Sequence, residues 1–303
     1  MSLSKKYIMN FLKKIFLFIL IALIAWGGIY TYNRATDGFS LYQISSSLPI
    51  EAHIASEPLT PEKKQTLKKI LDQPFTYLGK GCQFYVFGSE DGEYVIKLLK
   101  QKHLRPFSWL NKIPMPKKIR TLSNEKIQRR KSRVKNLFSS CQLAFNEMAE
   151  ETGLIFIHLN RFPALEQTVT LIDKLERHHT IEIDDHEFVL QKRAITVKDV
   201  FLKLQKEEEV RDKIAQLVGL VQARCQKGIC DRDRSFVQNV AFCIDGSQAV
   251  FVDIGQFYKD DSILQKEKQK EDVKRRLGNL RHWAARHFPD FVCYVDEQIE
   301  ESK

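Results

Sequence analysis

The segment from Gly228 to Gly255 holds the residues of this 303-residue chain that are best suited to chemistry. Two carboxylates, Asp231 and Asp233, stand close together, and an amide and a third carboxylate follow at Asn239 and Asp253. One carboxylate can orient an attacking hydroxyl and accept its proton. An amide oxygen and a second carboxylate can hold a magnesium ion that neutralises phosphate charge. The order of these residue types therefore indicates a phosphoryl-transfer site.

Short strands must bring these side chains together. Two apolar runs, residues 240–244 and 249–252, flank an Asp245-Gly246 pair, which is typical of a β-hairpin with a tight turn. Asn239 would enter this hairpin and Asp253 would leave it, so the hairpin predicts that the two side chains lie side by side. The glycine at position 255 allows the chain to turn sharply after the strand.

Three further strand-like runs lie upstream, FTYLGKG, CQFYVFG and YVIKLLK, and glycine-containing turns separate them. The first turn carries Gly79 and Gly81, whose missing side chains allow backbone amides to approach phosphate oxygens. Lys97 lies in the third run among apolar neighbours. A helical pattern follows over about Ser132–Glu151, with apolar residues at helical spacing.

Taken together, LGKGCQFYV, YVIK, GICDRD and DIG resemble, in this order, the motifs of the protein-kinase-like superfamily. The resemblance covers about residues 75–257 and implies a compact, atypical phosphotransferase that uses ATP and Mg²⁺. It implies that Asp233 is the catalytic base, although an exchange of roles with Asp231 stays open. It assigns the nucleotide to Gly79, Lys80, Gly81, Val86 and Lys97, the carboxylate partner of Lys97 to Glu147 (with Glu150 and Glu151 as alternatives), and magnesium to Asn239 and Asp253.

The chain departs from the family pattern at several positions. Phe84 stands where the third glycine belongs, Asp231 replaces the usual His, and Ile254 replaces Phe. The interval from Asp233 to Asn239 is one residue longer than in the family. These departures support an alternative, a catalytically inactive kinase-like module that acts as a membrane-tethered binding or scaffold protein. A basic lipid or nucleic-acid binder without a nucleotide site is a third reading.

The amino terminus predicts a membrane anchor. Residues 15–32 carry no charge, and Trp26, Tyr30 and Tyr32 suit the far interface of a bilayer. Four lysines precede this stretch and favour an amino terminus in the cytoplasm, which would place the rest of the chain on the other side. That topology conflicts with ATP chemistry unless the far compartment supplies nucleotide. A cleaved signal peptide is the rival interpretation, but no good cleavage site follows.

The predicted fold is α+β, a bilobal protein-kinase-like fold with a β-rich N-lobe and a mostly α-helical C-lobe, preceded by one N-terminal transmembrane helix. The predicted regions are an anchor at 1–35, a stalk and short helix at 36–72, an N-lobe at 73–190 with a basic insert at 98–135, and a compact C-lobe at 191–303. The net charge of +10 favours anionic partners. We expect nucleotide and membrane as partners, with an anionic lipid, saccharide or protein as acceptor, and we do not expect nucleic acid.

Overall fold

The computed structural model describes residues 2–46, 59–101, 117–160 and 162–301. The chain begins with helix α1 (Ser2–Ala35). Its portion Phe11–Ala35 has a mean hydropathy of 2.1 and is not buried against the rest of the protein. This helix is long and apolar enough to cross a membrane, a property that secretion signals share.

A seven-stranded sheet forms the first half of the folded region, in the order β4-β7-β3-β2-β1-β5-β6. Its strands are antiparallel except for β1 and β5, which run parallel. The strands are β1 (Phe75–Lys80), β2 (Phe84–Ser89), β3 (Tyr94–Leu99), β4 (Leu154–His158), β5 (Thr168–Ile172), β6 (His178–Glu182) and β7 (Phe188–Lys192).

The second half is mainly helical and contains two small sheets. One sheet has the order β11-β10-β8 and the other pairs β12 with β9. These strands are β8 (Ala194–Thr196), β9 (Ile229–Asp231), β10 (Val240–Cys243), β11 (Ala249–Phe251) and β12 (Phe257–Lys259). The helices of the chain after α1 are α2 (Leu41–Ile44), α3 (Pro61–Leu71), α4 (Lys117–Glu147), α5 (Ala149–Thr152), α6 (Val197–Phe201), α7 (Glu207–Gln226), α8 (Lys266–His287) and α9 (Val292–Glu301).

The predicted α+β class is confirmed. The hairpin across Asp245-Gly246 forms as the apolar pattern indicates, with Val240 opposite Phe251. Thr60 caps α3 by accepting a hydrogen bond from the Lys63 amide, and Pro61 takes the first helical position. Helix α4 begins at Lys117, well before the predicted start at about Ser132, so the second part of the basic insert is helical. Residues 102–116 of that insert lie outside the described residues.

Residues 36–46, which fall in the predicted stalk, are packed against the seven-stranded sheet. Phe39 and Ile44 are each only 1% exposed, and the Phe39 ring makes edge contacts with Tyr85 and Phe87 of β2. The Tyr85 hydroxyl donates to the carbonyl oxygen of Gly38 at 2.6 Å. The sequence signal for this packing was an apolar pair, Phe39 and Ile44, in a short and largely polar segment. The rest of the stalk before Leu59 lies outside the described residues.

We predict that Phe39→Ala lowers the free energy of unfolding by about 3–5 kcal/mol, because it removes a buried aromatic ring and leaves a cavity. Leu41→Ala is the matched control, since Leu41 is 38% exposed in the same segment and should change stability by about 0.5 kcal/mol or less. Urea denaturation of the full chain in detergent micelles measures both values. Equal effects of the two substitutions would contradict the packing described here.

Candidate functional site

Lys97 lies at the centre of the site. It stands on β3 directly opposite Val86 of β2, so these two predicted nucleotide-binding side chains share one face of the sheet. The Lys97 ammonium donates to the carbonyl oxygen of Val252 at 2.5 Å, next to Asp253. Burial lowers the pKa of Lys97 to about 8, and the nearby Asp253 carboxylate opposes that shift. The fold thus brings Lys97 and Asp253 together from positions far apart in the sequence.

Asn239 and Asp253 are joined through the backbone at the mouth of the hairpin. The amides of Val252 and Asp253 both donate to the carbonyl oxygen of Asn239, at 2.8 and 3.4 Å. The Asp253 carboxylate accepts the Gly255 amide at 3.0 Å, which stabilises the turn out of the strand. The Asn239 side chain makes no hydrogen bond to another residue of the described ranges. Its carboxamide is therefore available to a ligand.

Asp231 and Asp233 occupy different environments. The Asp231 side chain is 7% exposed, and burial raises its pKa against the opposing charges of Arg276 and Arg224. It accepts the Asp233 amide at 2.8 Å, so it supports the turn that carries Asp233. Asp233 itself is only partly buried, and its carboxylate accepts the Ser235 amide at 2.8 Å. The Asp231 carboxylate is therefore engaged in internal contacts, whereas Asp233 is partly exposed to solvent.

A buried group of charges lies beneath this turn. Arg276 of α8 donates to the carbonyl oxygens of Asp233 and Asp231 at 2.6 and 3.0 Å, and it lies 3.3 Å from the Asp231 carboxylate. Arg224 of α7 forms an ion pair with Asp272 of α8 and lies 3.7 Å from Asp231. Both arginines are at most 2% exposed. Helix α8 thus holds the backbone of the predicted catalytic turn through Arg276, and α7 places Arg224 near the Asp231 carboxylate.

The glycine-rich turn joins β1 to β2 between Lys80 and Phe84. The Gly81 amide donates to the carbonyl oxygen of Phe84 at 2.9 Å and closes the turn. The Lys80 ammonium lies 2.8 Å from the carbonyl oxygen of Asp37, so this side chain is directed to the segment that follows α1. Phe84 is 8% exposed and belongs to the hydrophobic core, which explains an aromatic residue where the family has glycine.

Gln83 connects this turn to the other half of the site. Its side chain lies so close to Gly255 that a methyl group at position 255 would clash with Gln83 Oε1. That oxygen is buried and has no hydrogen-bond partner among the described residues. A buried acceptor without a partner is costly to retain. Gln83 therefore places an unused carbonyl oxygen between the glycine-rich turn and the Asp253 turn.

The predicted pair of Lys97 and Glu147 is wrong. Glu147 is the last residue of α4, and its carboxylate pairs with Lys259 at 2.5 Å. The alternative Glu151 pairs with Lys227 at 2.5 Å. The residue of α4 beside Lys97 and Asp253 is Cys141, nearly two helical turns earlier, and burial raises the pKa of its thiol to about 12. The thiol is neutral, so it supplies no counter-charge for Lys97.

Helix α4 still contacts the site, through Ser140. The Ser140 hydroxyl donates to the carbonyl oxygen of Ile254 at 2.5 Å and accepts the Phe257 amide at 2.6 Å. One buried hydroxyl thus ties the helix to both sides of Gly255. Sequence reasoning missed this residue because serine is common on helix surfaces and the apolar pattern does not mark it.

Sequence reasoning also missed the two buried arginines, although a signal was present. Arg224 follows Leu217 and Val221 at helical spacing on the buried face of α7, and Arg276 lies between Val273 and Leu277 on the buried face of α8. A charged residue within an apolar stripe needs a buried partner of opposite charge. The acidic turn at 231–233 supplies such a partner, because Asp231 lies close to both arginines.

The donor set fits magnesium only with help from a ligand. Within the described parts of the chain, no group of three or more His, Cys, Asp or Glu side chains is arranged to hold a metal ion. Mg²⁺ prefers oxygen ligands and is usually bound by one or two carboxylates together with substrate phosphates and water. Asn239 and Asp253 supply two such oxygens, so nucleotide phosphates would have to complete the coordination.

We predict that Arg276→Ala lowers the free energy of unfolding by about 3–5 kcal/mol, because it removes the nearer of the two arginines that pair with the buried Asp231 and the donor to two carbonyl oxygens. The double variant Arg276→Ala with Asp231→Asn should lose less stability than the sum of the single variants, since the unpaired charge is then absent. Urea denaturation of the full chain in micelles gives the free energy of unfolding for each member of this double-mutant cycle. Arg281→Ala, on the exposed face of the same helix, is the control and should change the free energy of unfolding little. Strictly additive effects of the Arg276 and Asp231 substitutions would exclude the pairing of these two residues.

Comparison with known proteins gives limited similarity. No protein-family profile and no curated protein sequence matches this chain. Among solved structures, the chain is similar to the bifunctional kinase-methyltransferase WbdD, with 13% sequence identity and a TM-score of 0.32. The similarity covers 72% of this chain and 43% of WbdD, so the chain spans less than half the length of that protein.

Proposed function

We propose that this protein is a membrane-anchored, ATP-dependent phosphotransferase with a bilobal, protein-kinase-like fold. It would transfer the γ-phosphate of Mg-ATP to a hydroxyl of a protein, lipid or saccharide acceptor. One observation carries the proposal, the contact of the Lys97 ammonium with the carbonyl oxygen of Val252, beside Asp253 and Asn239. A cation for phosphate and two oxygen donors for magnesium are the parts that phosphoryl transfer requires.

Each part of the site has a role in this proposal. Gly79, Lys80 and Gly81, at the end of β1 and in the glycine-rich turn, cover the phosphates through their backbone, and Val86 of β2 contacts the nucleotide beside Lys97. Asn239 and Asp253 hold Mg²⁺, which supplies charge neutralisation on the phosphates when it is bound. Asp233 orients the acceptor hydroxyl and accepts its proton, whereas Asp231 is a positioning residue that supports the Asp233 turn.

A second candidate function is nucleotide binding without transfer. It is favoured by Cys141, which stands where α4 passes Lys97 and carries no negative charge. Among the described residues, α4 supplies no carboxylate partner for Lys97, whose ammonium contacts the Val252 carbonyl near the charge of Asp253. The two functions share the nucleotide site and differ in whether Asp233 accepts a proton from an acceptor. Assays of binding and transfer on the same variants separate them.

The first prediction of this proposal concerns nucleotide binding. ATP should bind the full chain in micelles only with Mg²⁺, and Asp253→Asn should abolish this magnesium-dependent binding, because it removes a charged ligand of the ion. Lys97→Ala should weaken binding by roughly 10–100-fold, because it removes a charge-assisted hydrogen bond to phosphate. Isothermal titration calorimetry measures both. Asp245→Asn and Lys192→Ala are matched controls on the neighbouring turn and strand, and unchanged affinity in the two site variants would refute the nucleotide site.

A second measurement distinguishes transfer from binding alone. Asp233→Asn should leave the affinity for Mg-ATP unchanged and reduce phosphate incorporation into the protein itself or a general acceptor by about 10²–10⁴-fold. Asp231→Asn should reduce both stability and transfer, because it loosens the turn that carries Asp233. Wild-type protein that binds Mg-ATP and transfers no phosphate to any acceptor would establish the second candidate function.

The pKa of Lys97 predicts a pH dependence. With a pKa of about 8 in the free protein, the ammonium is charged at pH 7 and mostly neutral at pH 9. Because phosphate binds the charged form, ATP affinity should fall roughly tenfold between these pH values. Lys97→Arg keeps its charge throughout and should abolish the dependence. The same titration by calorimetry tests this, and a pH-independent wild-type affinity would contradict a lowered pKa of a Lys97 that contacts phosphate.

A further inference from the structure

The junction between α1 and the sheet contains almost no spacer. The helix ends at Ala35, and the hydroxyl and amide of Thr36 both donate to the carbonyl oxygen of Tyr32 at 2.9 Å. Asp37 and Gly38 then adopt positive φ angles of 54° and 74° and turn the chain, and Phe39 enters the core. The depth of α1 in a bilayer therefore sets the depth of the part of the sheet that Phe39 contacts.

The turn between β5 and β6 lies beside the end of α1. Its Arg177 guanidinium lies 3.5 Å from the Tyr32 hydroxyl and 5.9 Å from the centre of the Tyr32 ring. Lys174 of the same turn pairs with the Asp37 carboxylate at 3.0 Å. Tyr32 is one of the aromatic residues that suit the membrane interface. The turn thus reaches the level at which α1 would leave the bilayer.

A buried carboxylate gives this turn a defined shape. Asp173 is 3% exposed and accepts the amides of Leu175 and Arg177 at 2.8 and 3.1 Å. Burial raises its pKa, but hydrogen bonds from His179 and Arg177 outweigh this and hold the pKa at about 2. Glu176 has a positive φ of 60°, which reverses the chain. Leu175 stands at the tip and is 44% exposed.

The topology of the sheet gives the turn its neighbours. The register of the parallel pair sets Ile172, the last residue of β5, beside Thr76 near the start of β1. The β5–β6 turn therefore runs alongside β1, and Lys174 of this turn and Lys80 at the end of β1 both contact Asp37. The β2–β3 turn with Glu90 lies at the other end of β1, since Ser89 pairs with Phe75, about 20 Å from Lys80 along a six-residue strand.

We propose that the β5–β6 turn, residues 173–177, is a second membrane contact, in which Leu175 enters the headgroup layer of the bilayer in which α1 is anchored. Apolar and basic residues next to an inserted helix are suited to this layer. Lys174 and Arg177 pair with Asp37 and Asp173, but their side chains stay 45% and 44% exposed and can also contact lipid headgroups. The two attachments would hold the end of β1 that carries the glycine-rich turn near the membrane surface. This inference rests on the anchoring part of the proposed function and does not depend on phosphoryl transfer.

Photo-crosslinking to lipid tests the contact. The full chain is reconstituted in phosphatidylcholine liposomes with benzoylphenylalanine in place of one residue. The three positions are Leu175, Glu90 at the end of β1 away from Lys80, and Tyr30 within α1. All three side chains are exposed, so each variant should fold. After illumination, positions 175 and 30 should crosslink to labelled lipid, and position 90 should give at least about tenfold less product, because it lies beyond the headgroup layer.

The outcomes separate the possible failures. Crosslinking at position 30 with no more product at 175 than at 90 would show that the turn is clear of the membrane, although α1 is inserted. Absence of crosslinking at position 30 would remove the anchor and the proposed contact together. ATP binding measured on the same liposomes reports the nucleotide site separately, so a failure there leaves the membrane result as it stands.

Discussion

One of the two hydrophobic clusters among the described residues joins the large sheet to the helical half, and Lys97 of the candidate site lies beside it. The core runs from Phe84 and Val189 of the large sheet, past Cys141 of α4, to Leu217 and Phe251 of the helical half. Close packing of this kind fixes the distance between strand β3 and the hairpin that ends at Asp253. Lys97 can therefore reach the Val252 carbonyl only because the apolar residues around it set the separation of the two halves.

The buried charges in the helical half serve a different purpose from the core. Apolar packing positions elements but cannot select the orientation of a polar turn, whereas the fork of a guanidinium fixes two carbonyl oxygens at once. Arg276 does this for the residues that carry Asp231 and Asp233. Two arginines and two aspartates in one buried group have a large desolvation cost, and the Nε atoms of both arginines and Nη1 of Arg224 are buried without a hydrogen-bond partner among the described residues. The ion pairs of the group offset part of this cost. The turn is consequently held by specific contacts, and Asp233 alone of the two acids is left accessible.

The amino-terminal helix is integrated with the fold through Phe39, Tyr85 and the Asp37 contacts. Two lysines, one beside the glycine-rich turn and one in the β5–β6 turn, meet a single carboxylate at the end of the helix. Such an arrangement makes the orientation of the sheet relative to α1 a property of the folded domain. A flexible stalk, as the polar composition of this stretch predicts, would leave that orientation free.

Local sequence patterns determined a large part of this protein. The strand runs, the Asp245-Gly246 hairpin, the apolar helix and the capped start of α3 all follow from side-chain spacing and turn chemistry, which act over a few residues. The tertiary structure alone decided which of Asp231 and Asp233 is buried among arginines, that Cys141 rather than Glu147 lies beside Lys97, and that Gln83 meets Gly255. These outcomes depend on where α4, α7 and α8 pack against the strands. Burial and pairing between residues distant in sequence are set by that packing, and no local pattern encodes it.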